Sequence, residues 1–88
     1  MDFSYEPGRF YMQNDNELIA EIKFEINNNV LSINHTFVNN NYRGKGIARK
    51  LILKVISYAQ QHNLLIKPVC SYAVKFFEHT DKYNALLV

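Results

Sequence analysis

The chain has little of several residue types, and each shortage excludes a class of protein. Its 88 residues include one cysteine, three glycines, two prolines and no tryptophan. A single cysteine excludes an internal disulfide framework and a zinc site with several cysteine ligands, so we expect no metal site and a reduced thiol at Cys70. No apolar run approaches the roughly 20 residues needed to span a bilayer, and the N-terminus is acidic where a signal peptide would be basic. We therefore expect a cytoplasmic protein without a membrane partner.

The charge of the chain is nearly balanced. Ten basic and eight acidic residues give a formal net charge of +2, which excludes a strongly basic nucleic-acid binder. An apolar fraction of 48% and a charged fraction of 20% are typical of a globular protein. The length predicts one domain over residues 1–88. The apolar tail, residues 81–88, needs a packing partner, so we expect either a monomer or a weak homodimer.

The first half of the chain has the pattern of an antiparallel meander. Residues 9–13 are predicted to form an edge strand, and residues 17–26 alternate with the period of two that marks a half-buried strand with one largely polar face. Three asparagines, residues 27–29, predict a tight turn. Residues 30–38 then form the returning strand, on which one face is predicted to carry Leu31, Ile33, His35 and Phe37.

The second half of the chain changes to a helical period. Apolar residues recur at three- and four-residue spacing between residues 46 and 62, which predicts an amphipathic helix. Residues 64–70 are predicted to return to the sheet as a parallel strand, and residues 73–77 to form a helix of about two turns. The predicted fold class is α+β, with a mixed sheet of three antiparallel strands, a helix, a parallel strand and a helix.

The loop before the long helix is the most informative segment. Its sequence over residues 42–48 is Tyr-Arg-Gly-Lys-Gly-Ile-Ala. Two glycines let the backbone approach a ligand and turn its N–H groups inward, and the helix N-terminus adds a partial positive charge. The cations around it are Arg43, Lys45, Arg49 and Lys50. A Gly-x-Gly standing alone more often marks a plain helix-start loop, but its place between a strand and a long helix, with four cations, predicts a phosphate or pyrophosphate site.

At these residues the chain resembles the GNAT superfamily of N-acetyltransferases, whose loop has the pattern Arg/Gln-x-x-Gly-x-Gly/Ala. It is similar in particular to the very short single-domain branch, in which a His-Thr pair, the glycine loop and a Cys-Ser-Tyr/Phe sequence follow one another. Here the two flanking motifs are His35-Thr36 and Cys70-Ser71-Tyr72. The resemblance covers residues 9–83 and implies a minimal GNAT-like domain that uses acetyl-CoA.

The resemblance also implies roles for individual residues. Backbone N–H groups of the loop would bind the pyrophosphate of acetyl-CoA, and those residues are Arg43, Gly44, Lys45, Gly46, Ile47 and Ala48. The strand before the loop, Phe37, Val38 and Asn39, would hold the pantetheine arm through its backbone. Cys70 could carry the acetyl group as a thioester with His35 as the base, or the amine could attack acetyl-CoA directly while Tyr72 protonates the leaving thiolate.

Three functions compete at this point. The first is an acetyl-CoA-dependent N-acetyltransferase that acts on a small-molecule or protein amine. The second is a CoA-binding, acyl-CoA-binding or protein-interaction module without turnover, because the chain is predicted to lack the helices that commonly wall the acceptor site in GNAT enzymes. The third is a nucleic-acid binder, which the low net charge and the absence of a stacking array of aromatic residues disfavour.

Overall fold

The computed structural model describes residues 2–88, which form one mixed five-stranded sheet and two α-helices. The strands lie in the sheet in chain order, and the first four are antiparallel while the last is parallel to the fourth. The strands are β1 (Ser4–Glu6), β2 (Arg9–Asn14), β3 (Glu17–Asn27), β4 (Val30–Val38) and β5 (Leu65–Pro68). The helices are α1 (Ile47–Gln61) and α2 (Ser71–Glu78). The α+β class predicted from the sequence is confirmed.

The strand β1 is an element that the sequence pattern did not predict. Its three residues are all exposed, so no alternation of apolar and polar side chains marks it. It pairs with β2 across the turn at Pro7-Gly8, where Gly8 has a φ of 81°. The next turn of the meander is as expected, because Asn28 and Asn29 have φ angles of 51° and 66°, as a two-residue hairpin loop requires.

A β-bulge in β4 reverses the predicted faces of that strand. Lys23 pairs with His35 and Phe24 pairs with Ile33, so Asn34 has no partner on β3. An unpaired residue shifts the alternation of side chains by one position. Ile33 is therefore buried under the helices, whereas His35 lies on the exposed face of the sheet. The prediction that His35 and Phe37 share the face of Leu31 and Ile33 is wrong.

A second bulge changes the polar face of β3. Met12 pairs with Ala20 and Gln13 pairs with Leu18, which leaves Ile19 without a partner on β2. Ile19 is 5% exposed, and Glu21 is 8% exposed. The face that the sequence predicts as largely polar is thus partly buried at these two positions.

The helix α1 covers the other face of the sheet, and its bounds agree with the prediction. Its buried residues follow the predicted helical spacing and are Ile47, Leu51, Ile52, Val55, Ile56 and Ala59. Near its C-terminal end, the Tyr58 ring packs on Phe10 and Phe24 with centroid distances of 6.0 and 5.5 Å. Asn63 ends the helix with a φ of 57°, the left-handed conformation that asparagine tolerates.

The C-terminal tail packs against the outer edge of β5, as its apolar composition led us to expect. Leu87 forms a parallel bridge with Ile66, and the N–H of Val88 donates to Ile66 O at 3.0 Å. Tyr83 packs against the α2 rings Phe76 and Phe77, both at 6.3 Å between centroids. The tail therefore covers the side of β5 that faces away from β4.

Candidate active site

The loop before α1 exposes backbone N–H groups at the N-terminus of a 15-residue helix. Gly44 and Gly46 have φ angles of 82° and 76°, and a Cβ atom built at either position meets no atom within 4 Å. Gly46 is the N-cap residue, and no side chain forms a capping hydrogen bond. Among residues 2–88, the N–H groups of residues 44–49 have no acceptor, and the ladder of the helix begins where Lys50 N–H donates to Gly46 O at 3.1 Å. Free N–H groups and open space together form a cradle for an anion.

The loop is held against the end of β4 by side chains. Asn39 N–H donates to Ile19 O at 2.7 Å, and the Asn39 side chain donates to Leu18 O and accepts from Asn41 N–H. Arg43 Nε donates to Val38 O at 3.3 Å. Phe37, Asn39 and Arg43 line one cleft of about 430 Å³. Several of the residues predicted to hold the cofactor are therefore neighbours in space.

The parallel strands β4 and β5 separate beside this loop. Their pairing ends at Ile33 and Pro68, and Ile33 O then accepts hydrogen bonds from the N–H groups of both Val69 and Cys70, each at 3.0 Å. Beyond that point the chain turns into α2, and in the part of the chain that the structure describes β3 is the only strand that pairs with residues 34–38 of β4. Within residues 2–88, no strand pairs with the opposite backbone edge of these residues.

Cys70 lies where the two strands separate. It is the N-cap residue of α2 and is partly buried, and its Sγ is 3.4 Å from Thr36 Oγ1. Thr36 pairs with the buried Ile22, so it faces the helices. The hydroxyl group of Thr36, rather than an imidazole, is thus the polar contact of the thiol.

His35 lies on the other face of the sheet, where it contacts a carboxylate. Its Nε2 is 3.3 Å from Glu21 Oε2, and the Arg9 Nε donates to the second oxygen of Glu21 at 2.8 Å. Arg9 also pairs with Glu6 at 3.0 Å. Because Thr36 and His35 alternate along β4, the structure does not bring His35 and Cys70 into direct contact.

Tyr72 is the second residue of α2 and lines a cleft with Arg49 of the first turn of α1. Burial raises the pKa of its hydroxyl group, and the positive charge of Arg49 opposes that rise. Arg49, Tyr72 and Lys75 line a cleft of about 250 Å³ between the two helices. The Arg49 guanidinium also lies 5.6 Å from the centroid of the Phe76 ring. The cleft is therefore basic and partly aromatic.

Two residues of the site were missed in the sequence. Glu21 contacts His35, and Arg9 contacts Glu21. In the alternating pattern of β3, no sequence feature distinguished Glu21 from Glu17 and Glu25. The bulge at Asn34 turns His35 to the same face as Glu21 and so gives the carboxylate a second partner beside Arg9. Within residues 2–88, no cluster of metal ligands occurs and no helix is long and apolar enough to cross a membrane.

These features define an α+β protein with an anion cradle at a helix N-terminus and an open strand edge beside it. Residues 9–86 match the model of a family described as GCN5-related N-acetyl-transferase, and the chain belongs to that family. The superfamily expected from the sequence is confirmed. So are its enzyme class, N-acetyltransferase, and its cofactor, acetyl-CoA.

Solved structures agree with this assignment. A GCN5-like protein from Staphylococcus aureus is 30% identical with a TM-score of 0.83, over 99% of this chain and 87% of that chain. A Bacillus anthracis protein in complex with acetyl coenzyme A is 26% identical with a TM-score of 0.63, over 81% of this chain and 44% of that chain. The PaiA N-acetyltransferase of Thermoplasma acidophilum, in complex with coenzyme A, is 18% identical with a TM-score of 0.66, over 81% of this chain and 48% of that chain. The chain spans about half the length of the last two structures.

Proposed function

We propose that this protein binds acetyl-CoA along the open edge of β4 and the loop before α1, and transfers the acetyl group to an amine at the exposed face of the sheet. The observation that carries the proposal is the set of unpaired N–H groups at residues 44–49, which lie beside a strand edge that lacks a partner. A phosphate-bearing, extended ligand matches both parts of this site. Acetyl-CoA supplies a thioester that an amine can attack, which forms an amide and releases the CoA thiol.

The loop residues are assigned to the pyrophosphate group. The N–H groups of residues 44–49 would donate to its oxygens, and the N-terminal end of α1 favours its negative charge. Arg43 and Lys45 are exposed and add positive charge at the same place. The fit is supported by the space at Gly44 and Gly46, where no protein atom lies within 4 Å of an added Cβ.

The strand and helix on either side of the loop are assigned to the rest of the cofactor. The backbone of Phe37, Val38 and Asn39 would pair with the amide groups of the pantetheine arm, as a further strand would. Arg49 and Lys75, which line one cleft together with Tyr72, would add positive charge toward the phosphate groups. These assignments follow from where the open edge and the charges lie.

The chemistry is assigned to residues near the point where β4 and β5 separate. His35 is exposed and lies on the face from which an amine can approach, so it would take the proton that the amine loses when its nitrogen bonds to the acetyl carbon. Tyr72 would give its proton to the CoA sulfur as the carbon–sulfur bond breaks. A raised pKa keeps the Tyr72 hydroxyl protonated at neutral pH, as this role requires.

A route through Cys70 is the second form of the same proposal. In it the Cys70 sulfur displaces CoA and holds the acetyl group as a thioester, which the amine then attacks. Cys70 would react as the thiolate after it loses its proton to solvent, and the Thr36 hydroxyl would donate a hydrogen bond to the sulfur, while the separation from His35 gives the imidazole no part in this step. The two routes differ in whether the acetyl group is ever bonded to the protein.

Two measurements test this proposal. Calorimetric titration of the protein with CoA should show one binding site. If no heat of binding is measured with CoA, the assignment of the loop is overturned. Intact-protein mass spectrometry after incubation with acetyl-CoA should then separate the two routes. Because Cys70 is the only cysteine, a gain of one acetyl group that hydroxylamine removes and that Cys70→Ser lacks establishes the thioester.

The acceptor is found by a screen of amines. Release of the CoA thiol from acetyl-CoA is followed with ethanolamine, spermidine and a short peptide that has a free N-terminus. Release that depends on one of these amines supports transfer, and His35→Gln should slow it by at least about a hundredfold if the imidazole is the base. Binding of CoA without release in any of these reactions would contradict turnover and favour a CoA-binding module.

A further inference from the structure

A row of four charged or polar side chains crosses the exposed face of the sheet. It contains one residue from each of the first four strands, namely Glu6, Arg9, Glu21 and His35. We call this row the carboxylate ladder. Successive members are joined by contacts of 3.0, 2.8 and 3.3 Å. The ladder therefore ends at the imidazole that the proposed function assigns as the base.

Glu21 is the least exposed member of the ladder. Its side chain is 11% exposed, whereas those of Arg9 and His35 are 22% and 49% exposed. Burial of a carboxylate is costly unless charged partners and hydrogen bonds compensate it. Arg9 occupies one oxygen of Glu21, and the second oxygen faces His35 Nε2. The carboxylate is thus fixed from one side and directed at the imidazole on the other.

The Arg9 side chain is itself restrained on three sides. It donates to Glu21 and Glu6, and its guanidinium lies 3.9 Å from the centroid of the Tyr11 ring. Burial lowers the pKa of Arg9, but the hydrogen bonds and charges of Glu21 and Glu6 outweigh it and raise the pKa, so the guanidinium stays charged. A fixed cation keeps the Glu21 carboxylate in one orientation.

We propose that Glu21 is a positioning residue for His35. Its carboxylate favours the proton of the neutral imidazole on Nε2 and restricts rotation of the ring, which leaves the lone pair on Nδ1 to accept the proton of the incoming amine. This inference rests on the proposed function for its consequence in catalysis. The restraint on the ring is a property of the free protein and is testable without any ligand.

A purely structural ion pair is the alternative role for Glu21. In that case the Arg9–Glu21 ion pair stabilises the pairing of β2 with β3, and the contact with His35 has no functional consequence. The two roles differ in what happens to the imidazole when Glu21 loses its charge. Only the positioning role requires a change in the proton distribution and motion of the ring.

The first experiment compares Glu21→Gln with a matched control, Glu25→Gln. Glu25 lies on the same strand and the same face of the sheet, and it is exposed. Long-range ¹H–¹⁵N spectra and ring ¹³C relaxation of His35 are recorded on the free proteins. We expect the Nε2–H form and an ordered ring in the native protein and in Glu25→Gln, and mixed tautomers with greater ring motion in Glu21→Gln. An imidazole that is unchanged in Glu21→Gln overturns the proposal.

The second experiment measures catalysis in a double-mutant cycle. Release of CoA from acetyl-CoA is followed with the most active of the three amines named above. We expect Glu21→Gln to lower kcat about tenfold with an unchanged KM for acetyl-CoA, and to have less than about a twofold effect in the His35→Gln background. An equal loss in both backgrounds would show that Glu21 acts through folding. If the native protein releases no CoA, the proposed function fails, and the spectra still decide whether Glu21 restrains His35.

Discussion

Substitution of Gly46 by alanine should separate cofactor binding from folding. Gly46 has a φ of 76°, and the left-handed conformation costs a residue with a Cβ about 1–2 kcal/mol. Apart from the chain neighbours of Gly46, no atom of residues 2–88 lies within 4 Å of the added Cβ, so we expect no steric clash with more distant parts of the protein. For a domain of this size, a loss of 1 kcal/mol in the free energy of unfolding lowers the melting temperature by about 4–8 °C. Gly46→Ala should therefore melt roughly 4–16 °C below the native protein.

The same methyl group should weaken CoA binding. It enters the open space through which phosphate oxygens must reach the N–H groups of residues 44–49. We expect at least about a tenfold increase in the Kd for CoA, which corresponds to about 1.4 kcal/mol. Calorimetric titration at 25 °C measures this change, and thermal unfolding followed by circular dichroism measures the change in stability.

Gly8→Ala is the matched control. Gly8 also has a positive φ, of 81°, but its added Cβ would lie 2.9 Å from Phe24 O. The variant should therefore lose more stability than Gly46→Ala. Its turn lies toward the other end of β3, away from the loop, so the Kd for CoA should stay within about twofold of the native value. Native-like CoA binding by Gly46→Ala, or equal weakening in both variants, would refute the assignment of the cradle.

Three further predictions concern single side chains. The raised pKa of Tyr72 means that the folded protein favours the neutral phenol, so this residue stabilises the fold below pH 10, and that contribution is lost as the pH rises through the folded pKa. Tyr72→Phe should therefore flatten the alkaline fall in stability, and an unchanged pH profile of urea unfolding would contradict the burial of this hydroxyl group. Ile66 is 0% exposed, and Ile66→Ala should cost about 2–5 kcal/mol in urea unfolding, whereas Val74→Ala, at a position 36% exposed, should cost less than about 1 kcal/mol. Lys45→Ala should weaken CoA binding and reduce its dependence on salt, whereas Lys54→Ala, on α1 and away from the loop, should leave both unchanged; identical salt profiles for the two variants would exclude Lys45 from the phosphate site.

Local patterns were sufficient to predict the elements that bury a continuous apolar stripe. The bounds of α1 were predicted because its buried residues repeat at helical spacing and its ends have Gly46 and Asn63 as conformational markers. The hairpin between β3 and β4 was predicted for a similar reason, since asparagines tolerate positive φ. The glycine loop could be located because its residues and the helix that follows are adjacent in the chain.

The faces of the strands depend on contacts between distant residues, and these were predicted less well. The bulge at Asn34 arises from how β4 pairs with β3, and the residue type at that position does not indicate a bulge. His35 was therefore assigned to the wrong face, and its contact with Glu21 was missed. The strand β1 was missed because three exposed residues have no apolar pattern to detect.

The bulge at Asn34 divides β4 into two segments in which inward and outward side chains alternate out of phase. Ahead of it, odd-numbered residues such as Ile33 face the core, and behind it even-numbered residues such as Thr36 do so. Removal of Asn34 would leave one regular alternation of side chains along β4. Because Phe24 and Lys23, the partners of Ile33 and His35, are consecutive residues of β3, His35 would then stay on the exposed face and Thr36 on the core face. The faces would change only if Asn34 itself paired with Lys23, because His35 would then lie beneath the helices and Thr36 would turn away from the Cys70 thiol. The register of β4 on β3 is thus as much a part of the site as the side chains proposed to act in the chemistry.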